Sequence, residues 1–163
     1  MKNIVLIGMM GCGKSTIGTM LAQHLSRKLV DTDALIVERE GRSINEIFAV
    51  DGEGYFRTLE LAVSRELSEA ENLIIACGGG LPLQQECIAA LKKSGIVFWL
   101  CRDPGETYDS MDISGRPLAQ NGQQDFLNRF ALREPIYRAS ADHIICDFTS
   151  PEITTNKILE VLK

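Results

Sequence analysis

Gly8-Met9-Met10-Gly11-Cys12-Gly13-Lys14-Ser15 matches G-x-x-x-x-G-K-[ST] at every position. The run follows an apolar stretch, Asn3–Ile7, and precedes Thr16-Ile17-Gly18-Thr19-Met20-Leu21, where a helix is expected. Strand, glycine-rich turn and helix, in that order, form a phosphate cradle. The glycines let successive backbone N–H groups turn toward an anion, and the helix N-terminus adds partial positive charge. Gly11, Cys12, Gly13, Lys14, Ser15 and Thr16 are therefore expected to hold ATP. Lys14 would reach the β- and γ-phosphates, and the Ser15 hydroxyl would ligate Mg²⁺. Cys12 either fills an unconstrained position or is an activated thiol, beside Lys14 and a helix N-terminus, whose alkylation blocks ATP.

Working outward, short apolar runs alternate with longer amphipathic stretches, the βαβ pattern of a parallel sheet. Strands are expected at Asn3–Ile7, Leu29–Asp31, Leu73–Cys77, Ile96–Cys101 and His143–Cys146. None alternates clearly, as befits strands covered on both faces. The fold class expected is α/β: three layers, doubly wound, with a five-stranded parallel sheet in one domain spanning residues 1–163. Helix starts are marked by Ser43-Ile44-Asn45-Glu46, a capping box, and by Asp103-Pro104 and Ser150-Pro151-Glu152. Residues 109–125 are polar and aperiodic and contain Gly115, Pro117 and Gly122, so a lid is expected there.

Composition excludes several classes. Apolar residues are 45% and charged residues 24% of 163, the balance of a soluble globular protein. A formal charge of −5, with no Lys or Arg run longer than two, argues against nucleic-acid binding. No stretch approaches the ~18 apolar residues of a membrane span. Five Cys without a Cys-x-x-Cys pair, and only two His, do not fit the common zinc spacings. They suit a reducing compartment, so a cytoplasmic monomer is expected.

The acceptor must be read from other residues. Asp31 and Asp33 are two apart at the end of a strand, which places both carboxylates on one side. One could hold a water on Mg²⁺ and the other accept from a substrate hydroxyl, although Asp33 is equally a good N-cap for the next helix. Arg57 lies three residues before Glu60 on a helical stretch. The pair is either an exposed ion pair or a guanidinium fork held ready for a carboxylate. Gly78-Gly79-Gly80 follows the third strand and is either a flexible turn or a surface that another molecule approaches closely. Arg116-Pro117-Leu118 would supply a cation from the lid. Arg133, read alone, is a surface residue.

Together GMMGCGKST, VDTD, GRSINEIFAVDGEGYFRTLE, CGGG, RPL and REPIY resemble the shikimate kinase family from end to end, in order and spacing. The resemblance implies a nucleoside monophosphate kinase-like fold and ATP- and Mg²⁺-dependent phosphorylation of the 3-hydroxyl of shikimate, a step of aromatic amino acid biosynthesis. It gives Asp31 the metal side and Asp33 the hydroxyl. Arg57 and Arg133 would hold the carboxylate, and Gly78, Gly79 and Gly80 would line the substrate, Gly79 donating its N–H. Lys14 and Arg116 would stabilise the moving phosphoryl group.

The chain departs from the family on the nucleotide side. Tyr108–Gly115 has no Arg or Lys where the family carries a basic residue against adenine, and Phe148-Thr149-Ser150 stands where an Arg is common. Tyr108 is then a candidate for stacking on the base. Three alternatives are weaker. A gluconate or nucleotide kinase would not need this acceptor set, and a GTP-binding switch would need Asn-Lys-x-Asp, whereas Asn156-Lys157 continues Ile158-Leu159. A non-catalytic ATP binder would not need every residue assigned to chemistry.

Overall fold

The computed structural model describes residues 1–112 and 121–163. Five strands, β1 (Asn3–Ile7), β2 (Lys28–Asp31), β3 (Leu73–Ala76), β4 (Gly95–Leu100) and β5 (His143–Ile145), form one parallel sheet ordered β2-β3-β1-β4-β5. β1 lies at the centre, so the loop that follows it opens where chain direction across the sheet reverses, the usual ligand edge of such sheets.

The alternate residues of β1 explain the missing hydrophobic alternation. Val5 and Ile7 enter one core with Ile75, Val97 and Trp99; Ile4 and Leu6 enter the other with Ile74, Phe98 and Leu100. Helices α1 (Lys14–Leu25) and α7 (Pro151–Val161) cover the second face through Ile17, Leu21 and Ile158. Helices α3 (Ile44–Ser68), α4 (Gln85–Ser94) and α6 (Gln123–Ser140) cover the first through Ile47, Leu91 and Tyr137. Burying a Leu- or Ile-sized side chain stabilises by roughly 1.5–3 kcal/mol, so the two cores dominate folding.

The expected helix starts are present. Ser43 Oγ accepts from Glu46 N at 3.1 Å and Glu46 Oε2 accepts from Ser43 N at 2.7 Å. Asp103 caps α5 (Pro104–Ser110) and Ser150 caps α7. Asp109 and Ser110 complete α5, and Gln123–Asp125 open α6, while 113–120, with Arg116, lie outside the described residues.

One feature of α3 was invisible in the pattern. Gly52 adopts φ 83°, ψ 169°, a conformation that L side chains avoid, and it breaks the helix into two arms. Arg42 braces the break by pairing with Asp51 and with Glu40, which also accepts from the Tyr55 hydroxyl at 3.0 Å. Phe48 and Phe56 meet edge to face across it, with centroids 5.2 Å apart. The two arms thus become two walls of one cavity.

Candidate active site

The glycine-rich loop leads straight into α1. Gly13, the N-cap, is left-handed (φ 106°) and offers no side-chain cap, so the first-turn N–H groups have no side-chain acceptor. Lys14 folds over the loop, its ammonium donating to the carbonyls of Gly8 and Met9, each at 2.8 Å. Ser15, Gly11, Gly13 and Thr16 line the same cavity. Cys12 is only 2% exposed and packs with Ile17 and Ile145. It is a space-filling residue here, and the solvent-facing reactive thiol is not what the fold presents.

Asp31 and Asp33 both reach that cavity, but not for the reason the spacing suggested. The strand ends at Asp31, and Thr32 already begins helix α2 (Thr32–Glu40), so Asp33 sits in a first helical turn. The N-cap is Asp31, whose Oδ1 accepts from Ala34 N at 3.0 Å. Its other oxygen accepts from Ser15 Oγ at 3.4 Å, bringing together the two expected metal-side oxygens. Asp33 Oδ1 is buried with no hydrogen-bond partner among the described residues. Burial, then the neighbouring Asp31 charge, push its carboxyl up to about 6, against the pull of Lys14 and Arg57.

Thr32, which the sequence reading passed over, is fully buried between the two acids. Its Oγ1 accepts from Gly78 N at 2.9 Å and ties the tri-glycine loop to α2. Thr32→Val keeps the shape but leaves that N–H unpaired. We expect a loss of about 1–3 kcal/mol, read as a lower urea midpoint with unchanged m-value. An unmoved midpoint would show that the bond contributes nothing.

A Cβ on Gly78 would collide with the Asp33 carboxylate, and one on Gly80 with the Arg57 guanidinium. Close approach, not flexibility, therefore explains the consecutive glycines. Arg57 donates to Glu60 Oε2 at 2.7 Å and to Glu53 Oε1 at 2.8 Å. Glu60 is fully buried and receives a further bond from Gln84 at 3.2 Å, so the pair is no exposed ion pair. Burial pushes the Glu60 carboxyl up to about 7 even though Arg57 pulls it down.

Arg133 corrects the surface expectation outright. It is 5% exposed, lines the cavity, and its Nη1 has no hydrogen-bond partner among the described residues. Four residues on along α6, the Tyr137 hydroxyl donates to the Gly79 carbonyl at 2.6 Å. Burial raises that phenol to about 12, which keeps it a donor. Arg133 and Tyr137 thus lie on one face of the helix, one facing the cavity and the other holding its floor.

The cavity holds about 430 Å³, the size of a small-molecule site. Ile44, Phe48 and Phe56 add to its lining an apolar patch that sequence reasoning missed. The signal available was Ile44 and Phe48 at i, i+4 after the capping box; the fold was needed to show which way they face. A second cavity, about 720 Å³, lies beyond the ends of β4 and β5, lined by Arg102, Ile144, Cys146, Phe148, Thr149 and Lys157 among others. Tyr108 is not among its lining residues; its ring packs on Phe126 at 5.5 Å.

A protein-family model described as shikimate kinase matches residues 10–163. A shikimate kinase of Caldicellulosiruptor saccharolyticus is 37% identical over 164 residues, covering 99% of this chain and 95% of that protein. Among solved structures, a shikimate kinase from Acinetobacter baumannii in complex with shikimate aligns with TM-score 0.92 and 35% identity, over 99% of this chain and 93% of the other. Shikimate kinase from Aquifex aeolicus aligns with TM-score 0.81 and 37% identity, over 98% and 95%.

Proposed function

The chain belongs to the shikimate kinase family, and from that premise we propose how its own residues divide the work of moving the γ-phosphoryl group of ATP to shikimate. It is a phosphotransferase of aromatic amino acid biosynthesis, with ATP as co-substrate. One observation carries the assignment of roles. Asp33 Oδ1, a buried acceptor, and Arg133 Nη1, a buried donor, both lack partners among the described residues and line one cavity, beside consecutive glycines. A hydroxy acid complements that pair: its hydroxyl satisfies Asp33 and its carboxylate satisfies Arg133.

The carboxylate is held between Arg57 and Arg133, the fork of Arg57 being preset by Glu60 and Glu53. The apolar patch of Ile44, Phe48 and Phe56 takes the carbon face of the ring, and Gly79 N–H faces the substrate. Asp33 accepts the proton of the 3-hydroxyl as that oxygen attacks phosphorus. A carboxyl poised near 6 is ionised at neutral pH yet basic enough to take a proton in the transition state. Lys14 exchanges the Gly8 and Met9 carbonyls for the β- and γ-phosphates, and Arg116 adds charge to the equatorial oxygens.

Ser15 and Asp31 suit Mg²⁺, which needs few protein oxygens when phosphates and waters complete its shell. When bound, the ion would neutralise charge on the β- and γ-phosphates. With the acceptor on the β2–β3 side of the glycine-rich loop, the nucleoside runs toward the β4–β5 side, over the cavity containing Phe148. Five unpaired cysteines support a cytoplasmic setting, and among the described residues no helix is long and apolar enough to cross a membrane.

The test is ADP release with Mg·ATP and, separately, shikimate, gluconate, AMP or no acceptor. Release is expected with shikimate alone. Release with gluconate or AMP instead would overturn the acceptor reading and leave the phosphate site standing.

A further inference from the structure

Two cysteines stand in register outside the cavity that binds the acceptor. β4 and β5 pair in parallel up to Leu100 and Ile145, and Cys101 N donates to Ile145 O at 2.9 Å one step further on. Cys101 and Cys146 are therefore neighbours across the ladder, on the same face, and their thiols are close enough to interact. Neighbouring strands lie about 4.8 Å apart, inside the roughly 4.4–6.8 Å between Cα atoms that a disulfide requires. Cys146 is exposed and lines the second cavity; Cys101 is half-buried. The other three cysteines, Cys12, Cys77 and Cys87, are buried.

We propose that Cys101 and Cys146 form a thiol pair that a low-molecular-weight disulfide closes into a reversible cross-strand disulfide, and that closure weakens ATP binding. The exposed Cys146 thiolate attacks one sulfur of the oxidant, forming a mixed disulfide and expelling one thiolate. The Cys101 sulfur then attacks Cys146 Sγ and expels the second. Two electrons pass from the cysteine pair to the oxidant, and the two cysteine protons end on the two released thiols. Burial and the neighbouring sulfur push the Cys101 thiol up to about 11, which suits it to the second, intramolecular attack rather than the first. Tying Cys146 to Cys101 constrains the backbone between Ile145 and Phe148, the lining of the second cavity. The effect on ATP rests on the nucleotide being seated there, whereas disulfide formation does not.

The experiment treats the folded full chain with oxidised glutathione, removes the reagent, and measures intact mass, free thiols after denaturation, and KM for both substrates. Free thiols are expected to fall from five to three, with no glutathione mass retained and a Cys101–Cys146 peptide pair in the non-reduced digest. Cys101→Ser should retain one glutathione, on Cys146, while Cys146→Ser should remain unmodified. The KM for ATP should rise, that for shikimate should not, and dithiothreitol should restore the first. No loss of thiols, or glutathione retained on both cysteines of the unsubstituted chain, overturns the proposal and leaves the nucleotide reading intact. A disulfide that forms without changing the KM for ATP overturns its coupling to the nucleotide and, with it, the seating of the nucleotide at this cavity.

Discussion

Replacing Asp33 with Asn lowers kcat by about 10²–10⁴-fold, the usual worth of a positioned general base, and raises the stability of the protein at pH 8. The first effect follows because Asn cannot take the hydroxyl proton. The second follows from the sign of the pKa shift. Burial holds the folded-state carboxyl up at about 6, above its ordinary value of 3.8, so the folded protein binds the proton more tightly than the unfolded chain does. Stability therefore declines as pH rises from about 4 to 6, and the ionised group remains unfavourable above that. A shift of this size corresponds to at most about 3 kcal/mol, reduced by whatever water enters the cavity. Asn is neutral at every pH and escapes this cost. The unsubstituted enzyme should show kcat/KM for shikimate rising through the region of pH 6 to a plateau, with no such rise in Asp33→Asn. Activity and stability moving in opposite directions identifies a functional acid held at a cost to the fold. Unchanged kcat would remove Asp33 from the chemistry, and a lower melting midpoint at pH 8 would show the carboxylate to be a structural partner.

The centres of the strands were legible because β1, β3 and β4 are buried on both faces, and even the partly exposed edge strands β2 and β5 are short apolar runs bounded by charge. Ends were less so: Cys77, Cys101 and Cys146 continue the apolar runs but lie beyond the ladders. Asp31 and Asp33 were paired correctly on a strand argument that fails at Thr32. The two acids converge because helix α2 starts between them, and Thr32 locks that start to Gly78. Arg133 could not be read as buried from local pattern, since its neighbours Leu132 and Glu134 are more exposed and its enclosure comes from the distant tri-glycine loop. The apolar patch was hidden for a related reason: one glycine at position 52 turns a continuous helical pattern into two arms facing each other. Local chemistry shows through a sequence, but convergence of distant segments does not unless a motif names the partners.

On the proposed assignment Arg133 and Arg57 hold the same carboxylate, yet their removal should differ in kind. Arg133→Ala is expected to reduce kcat/KM for shikimate by about 30- to 5,000-fold, the 2–5 kcal/mol lost when a buried ionic partner is truncated, with the loss mainly in KM. Arg133→Lys should rescue little, because a single ammonium cannot reproduce the planar fork. Without substrate, Arg133 Nη1 has no partner among the described residues, and the guanidinium interacts with the Tyr137 hydroxyl, so its removal should cost stability no more than about the 1 kcal/mol of one hydrogen bond. Arg57→Ala should also raise KM, but it strips Glu60 of its cation in a fully buried site. That carboxyl, already raised to about 7, would then stay protonated well above neutrality, and the variant should lose stability increasingly as the pH climbs and forces ionisation. The methyl ester of shikimate separates recognition from folding. The unsubstituted enzyme should strongly prefer the free acid, and Arg133→Ala should keep only the reduced preference that Arg57 supplies. If the preference survives undiminished in Arg133→Ala while its stability drops, Arg133 supports the fold and the carboxylate is held by Arg57 alone.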